Sequence, residues 1–132
     1  MRQTKESSGL VLVIEDNRNI SEMIGEYLES KGFEVDYACD GLDGYRLAAE
    51  NSYDVVVLDL KMPVMDGLTT LKEIKKLGLF TETMILTGHG AIDSALEAVK
   101  LGAYDYLTKP CDIDDLVAKI EGAWSKKDAE HK

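Results

Sequence analysis

Residues 53–67 read Tyr53-Asp54-Val55-Val56-Val57-Leu58-Asp59-Leu60-Lys61-Met62-Pro63-Val64-Met65-Asp66-Gly67. Val55 to Leu58 are apolar without alternation, the pattern of a strand covered on both faces, as in a parallel sheet between helices. Asp59 ends that run, and Pro63 and Asp66-Gly67 then supply turn signals. A carboxylate in this position lies on the carboxyl rim of the sheet, where open α/β sheets hold their ligands. Leu10-Val11-Leu12-Val13-Ile14 is a second such run and ends in Glu15-Asp16. Acids delivered to one rim by two strands repel each other unless a cation or a proton neutralises them, so the pattern predicts a hard-cation site.

Working outward, strand-like and helix-like segments alternate along the chain. Ile20, Met23, Ile24, Tyr27 and Leu28 recur at helical spacing up to Gly32, and a strand is expected over 33–38. Asp40 is placed to cap a helix carrying Leu42, Tyr45, Leu47 and Ala48, followed by the strand over 53–58. A third helix is expected over 65–77, a fourth strand over 82–87, and a fourth helix through Ile92, Ala95, Leu96 and Val99 to Gly102. A fifth strand over 103–108 is broken by Pro110, and Asp112 begins a last helix with Ile113, Leu116, Val117, Ile120 and Trp124 on one face. Repeated β-then-α units need right-handed crossovers and give a doubly wound, three-layer parallel sheet with helices on both faces. The flavodoxin-like strand order 2-1-3-4-5, with five helices, is the expected solution. It brings Glu15, Asp16, Asp59 and Thr87 to one switch-point crevice.

Bulk properties narrow the function classes. A chain of 132 residues fits one domain, which at this size buries about two-thirds of the surface its unfolded chain exposes. Fifteen basic against 25 acidic residues, a formal charge of -10, oppose direct binding to nucleic acid or anionic lipid. Cys39 and Cys111 follow no metal-ligand spacing, and nothing near the N-terminus reads as a secretory signal, so a reduced, cytoplasmic setting is expected. No apolar stretch approaches the roughly 20 residues a membrane span requires. Residues 1–8 are polar and aperiodic and read as a disordered leader, 9–124 as the domain, and 125–132 as a polar tail or the start of a linker.

Four short motifs stand at successive strand ends: Glu15-Asp16, Leu58-Asp59-Leu60-Lys61-Met62-Pro63 with Met65-Asp66-Gly67, Thr87-Gly88-His89-Gly90, and Tyr106-Leu107-Thr108-Lys109-Pro110. In this order they resemble the receiver domain of bacterial two-component response regulators. The stretch from Thr87 to Pro110 is similar in flavour to receivers of enhancer-binding transcription activators. The resemblance implies that Asp59 accepts a phosphoryl group from a partner histidine kinase or phosphotransfer protein. It also implies a Mg²⁺ (or Mn²⁺) ion held by Asp16, Asp59 and the backbone carbonyl of Lys61, with Glu15 acting through a water. A carboxylate is a competent nucleophile for this transfer, and the charge on the transferring oxygens has to be neutralised. Lys109 would pair with the phosphoryl group and Thr87 would donate a hydroxyl hydrogen bond to it. The family has a cis bond where this chain has Lys109-Pro110, which would aim Lys109 into the crevice. Lys61 and His89 stand at the two positions that tune dephosphorylation in relatives. Glu15 departs from the more usual aspartate by one methylene.

Tyr106 is expected to swing inward once Thr87 is drawn toward the phosphoryl group, changing the face of the fourth helix, fifth strand and fifth helix. That face would control an output domain, a downstream partner in transcription regulation, or a phosphorylation-dependent homodimer. Such a chain is not an enzyme beyond self-catalysed phosphotransfer and autodephosphorylation. Read alone, Thr87 would cap the next helix and Lys109 would be an ordinary solvated lysine. Two alternatives remain in play. One is a Mg²⁺-dependent aspartyl-nucleophile phosphatase, which wants an acid where Lys61 stands; the other is a phosphate-independent binding module, which has no need of the intact set Glu15, Asp16, Asp59, Thr87 and Lys109.

Overall fold

The apolar runs at 10–14 and 55–58 become the middle of a five-stranded parallel sheet. The computed structural model describes residues 9–60, 66–77, 81–88, 92–109 and 111–131. Strands β1 (Gly9–Ile14), β2 (Phe33–Ala38), β3 (Val55–Asp59), β4 (Glu82–Thr87) and β5 (Asp105–Thr108) alternate with helices α1 (Arg18–Ser30), α2 (Gly41–Glu50), α3 (Gly67–Lys76), α4 (Ile92–Lys100) and α5 (Ile113–His131). The strands lie in the order β2-β1-β3-β4-β5, all neighbours parallel. This is the doubly wound 2-1-3-4-5 sheet expected from the alternation.

Successive strand residues face opposite layers, which splits the core in two. Leu12, Ile14, Val56, Leu58 and Ile85 pack against Ala48 of α2, Leu71 and Ile74 of α3, and Ala95 and Ala98 of α4. Val11, Val13, Val55, Val57, Met84 and Leu86 pack on the other side against Ile24 and Leu28 of α1 and Leu116, Val117, Ile120 and Ala123 of α5. Each fully buried Leu, Ile or Val contributes about 1.5–3 kcal/mol relative to exposure.

Side-chain caps set the helix starts. The side-chain oxygens of Asn17, Asp40 and Asp66 accept from the amides of Ile20, Asp43 and Thr69, and Asp112 accepts from Asp114 at the head of α5. Several boundaries differ from expectation: the strand expected over 53–58 runs Val55–Asp59, and three others have a visible cause. The third helix begins at Gly67 because Asp66 caps it, and Met65 lies outside the described residues. The fifth strand begins at Asp105 because the amide of Ala103 returns to Ala98 O and closes the end of α4. The stretch expected as a tail continues α5 as far as His131, since Lys126-Lys127 and Ala129-Glu130 are good helix formers with no Gly or Pro among them. The leader expected at 1–8 lies outside the described residues.

Candidate functional site

The strand register builds the site. Ile14 pairs with Leu58, so Glu15 and Asp59 leave the sheet side by side. Asp59 pairs with Leu86, which puts Thr87 one residue further along, and Thr87 pairs with Thr108, which brings Lys109 next. The Lys109 amide donates to Thr87 O at 2.6 Å and holds the chain there. Four adjacent strand ends thus deliver Glu15, Asp59, Thr87 and Lys109 to one crevice, in the arrangement the motif order implied.

Glu15, Asp16 and Asp59 each present a carboxylate oxygen, and these three atoms lie within 4.8 Å of one another. Glu15 and Asp59 are buried, whereas Asp16 is exposed at the mouth. The Lys109 ammonium donates to Glu15 Oε1 at 2.5 Å and to Asp59 Oδ2 at 3.3 Å. Glu15 Oε2 also accepts from the Asn17 amide at 3.1 Å. Three carboxylates face one ammonium, so the site carries excess negative charge. Burial pushes the Glu15 carboxyl up to about 7, assisted by the charge of Asp59 and opposed by Lys109 and the Asn17 amide. Burial disfavours the Lys109 ammonium, but Glu15 and Asp59 outweigh that and raise its pKa, so it stays charged.

The donor set is all oxygen, with one carboxylate open to solvent and others fixed by burial, which suits a hard divalent ion such as Mg²⁺ that keeps several waters. The pairing of Lys109 with Glu15 was not expected from sequence: Glu15 was read as acting through water, and Lys109 as reserved for a phosphoryl group.

Thr87 is fully buried, and its Oγ1 has no hydrogen-bond partner. The capping role that a lone threonine suggests is therefore not the one it plays. Tyr106 is half-buried and packs against the cluster that holds Ala95 and Ala98. Lys61, His89 and Pro110 lie outside the described residues, and with them the expected carbonyl ligand, the dephosphorylation positions and the Lys109-Pro110 bond.

Gly67 has a role that only its place in the Asp66-Gly67 pair foreshadowed. A Cβ there would come 2.3 Å from Leu60 Cα and 2.6 Å from Asp59 O, both backbone. Its amide donates to Leu60 O at 3.0 Å, so the start of α3 is clamped directly onto the chain leaving Asp59.

The family model for the response regulator receiver domain matches residues 11–121. The transcriptional regulatory protein DltR of Streptococcus agalactiae serotype III (strain NEM316) is 40% identical over 110 residues, which are 83% of this chain and 49% of that protein. The regulatory protein AtoC of Escherichia coli (strain K12) is 34% identical over 113 residues, 86% of this chain and 24% of that protein. The chain thus spans half or less of these curated relatives. The crystal structure of a response regulator receiver domain protein from Clostridium thermocellum superposes with a TM-score of 0.86 at 42% identity, covering 91% of this chain and 97% of that one. No helix among the described residues is long and apolar enough to cross a membrane. With its fold, its acidic crevice and these relatives in agreement, the chain belongs to the receiver domain family of two-component response regulators.

Proposed function

We propose that Asp59 is the phosphoacceptor of a two-component switch, taking a phosphoryl group from a histidine kinase or phosphotransfer protein. The observation that carries this reading is a buried Asp59 at the end of β3, in contact with Lys109 and within 4.8 Å of two further carboxylates. In the transfer, an Asp59 oxygen attacks phosphorus, a P–O bond forms, the P–N bond of the donor phosphohistidine breaks, and the imidazole leaves with the electron pair. Mg²⁺ held by Asp16 and Asp59, with Glu15 beside them and the Lys61 carbonyl as a further oxygen, would neutralise charge on the transferring oxygens.

Lys109 then changes partner, from Glu15 to the phosphoryl oxygens, where its bonds are charge-assisted. The Thr87 hydroxyl, buried and unpartnered at rest, gains an acceptor. These two groups supply the differential contact without which a phosphoryl group shifts no equilibrium. The change would pass to α4, β5 and α5, where Tyr106 is half-buried and Leu96, Val99 and Leu101 are exposed, a surface suited to an output domain, a downstream partner or a second copy. Cytoplasmic placement follows from a kinase and a Mg²⁺ pool of that compartment.

Incubation with Mg²⁺ and a small phosphodonor, followed by intact mass measurement, tests the reading. One phosphoryl adduct is expected on the wild type and none on Asp59→Asn. An equal adduct on both proteins, or full labelling in excess chelator, contradicts it.

A further inference from the structure

The α4-facing side of β4 carries Thr83 and Thr87 around Ile85, and Thr81 stands one residue before the strand. All are buried, but they are not alike. Thr81 Oγ1 donates to Tyr53 O at 2.7 Å, whereas Thr83 Oγ1 and Thr87 Oγ1 have no partner. A hydroxyl buried without a partner is costly, because it has given up water for nothing. Thr87 has a reason for its state, since it stands at the crevice. Thr83 does not: it is four residues back along the strand, about 13 Å away, too far to touch a group on Asp59.

Strand alternation turns Thr83 to the same side as Ile85, the side on which α4 packs across β4 and β5. Over 93–100, where its side chains are described, this helix buries only Ala95 and Ala98. Alanines offer few atoms for dispersion contact, and β5 beside them is only half-buried along its length. Over 93–100 the helix is therefore lightly seated on a strand that carries an unsatisfied hydroxyl. Any displacement of α4 admits water to Thr83 and relieves that cost, while the seated arrangement bears it in full.

We infer that Thr83 is a positioning residue for the switch: its orphan hydroxyl beneath Ala95 and Ala98 weakens the resting seat of α4 and brings the displaced arrangement within reach of phosphorylation. The inference rests on the proposed phosphoacceptor role for its use, though not for its physical basis. Valine has the same shape without the hydroxyl, so Thr83→Val removes the cost and leaves the packing. Its Tm should rise by about 3–6 °C. In the unphosphorylated variant, hydrogen exchange of the α4 amides should slow about tenfold relative to those of β1 and β3. Phosphorylation should then expose α4 less than in the wild type, with the adduct on Asp59 undiminished.

Thr83→Ser keeps the hydroxyl and should restore wild-type relative exchange in α4, even though the lost methyl lowers its Tm. A merely structural role would change exchange in all elements alike. Unchanged relative exchange in Thr83→Val, or a lowered Tm, overturns the inference. These measurements on the unphosphorylated protein decide it even if the wild type takes up no phosphoryl group, a result that would count against the phosphoacceptor reading instead.

Discussion

The helices of this domain hold the sheet with unequal grip, and α4 differs most from α1 and α5. On one side, α1 and α5 bury Ile24, Leu28, Leu116, Val117 and Ile120, each at most 2% exposed. On the other, α4 buries Ala95 and Ala98 while leaving Leu96 and Val99 46% and 37% exposed, with Leu101 just beyond it at 38%. The first layer has the large side chains of a permanent core. Over 93–100, α4 turns its larger apolar groups outward and its smallest ones inward, so fewer contacts are lost if that helix moves. A switch needs a part that stays and a part that moves, and the packing distributes those roles before any phosphoryl group is considered.

The largest expected effect comes from cutting into the anchored side. Ile120→Ala should cost about 2–5 kcal/mol, whereas Leu96→Ala on α4 should stay within about 0.5 kcal/mol; denaturant unfolding of the two variants checks this. Comparable losses would mean the layers are equally held. Gly67→Ala should fall between them, at about 2 kcal/mol, because its contacts are the backbone of Leu60 and Asp59 and cannot rotate away. It should also slow phosphorylation, since the strain falls on the acceptor's own segment.

A smaller effect concerns the crevice between the layers. The Glu15 carboxyl has its pKa raised to about 7 in the fold, from about 4.5 ordinarily. Between those values the folded protein retains a proton that the unfolded chain has released, so this group favours the fold at the acid end of the window. That contribution falls away as pH rises through 7. Without metal, the wild-type Tm should therefore decline from pH 5 to pH 8 more than that of Glu15→Gln. Mg²⁺, which competes best for the ionised form, should raise the wild-type Tm more at pH 8 than at pH 6. Parallel curves for the two proteins would rule out this role for Glu15.

The smallest effect lies on the lightly held face. Lys119 Nζ meets Asp105 Oδ2 at 2.5 Å, joining α5 to β5 with both side chains about a third exposed. Lys119→Ala should cost about 0–1 kcal/mol, less in high salt. A larger loss would show that this face is tied more firmly than its packing suggests.

Much of this was readable in the chain. The unbroken apolar runs at 10–14 and 55–58 specify central parallel strands, and for five β-α units the flavodoxin-like strand order is the common solution. The site was legible because acids, threonine and lysine each end a strand, and strand ends share a rim. What escaped the reading depends on exact side-chain placement. Thr83 sits in an apolar strand and looks like any β-branched residue until its hydroxyl is found without a partner. The Glu15–Lys109 pair joins residues 94 apart, and nothing local in either motif signals it. The continuation of α5 to His131 was hidden because charged residues read as tail and as exposed helix alike.

Hydrogen exchange with and without a small phosphodonor, in the presence of Mg²⁺ and with stoichiometry checked by mass, separates the part of the domain that moves from the part that stays. Protection should alter across 92–108 and change little in 18–30 and 113–123, with no change anywhere in Asp59→Asn. Full phosphorylation with equal changes in both layers, or with none in α4, would contradict that division.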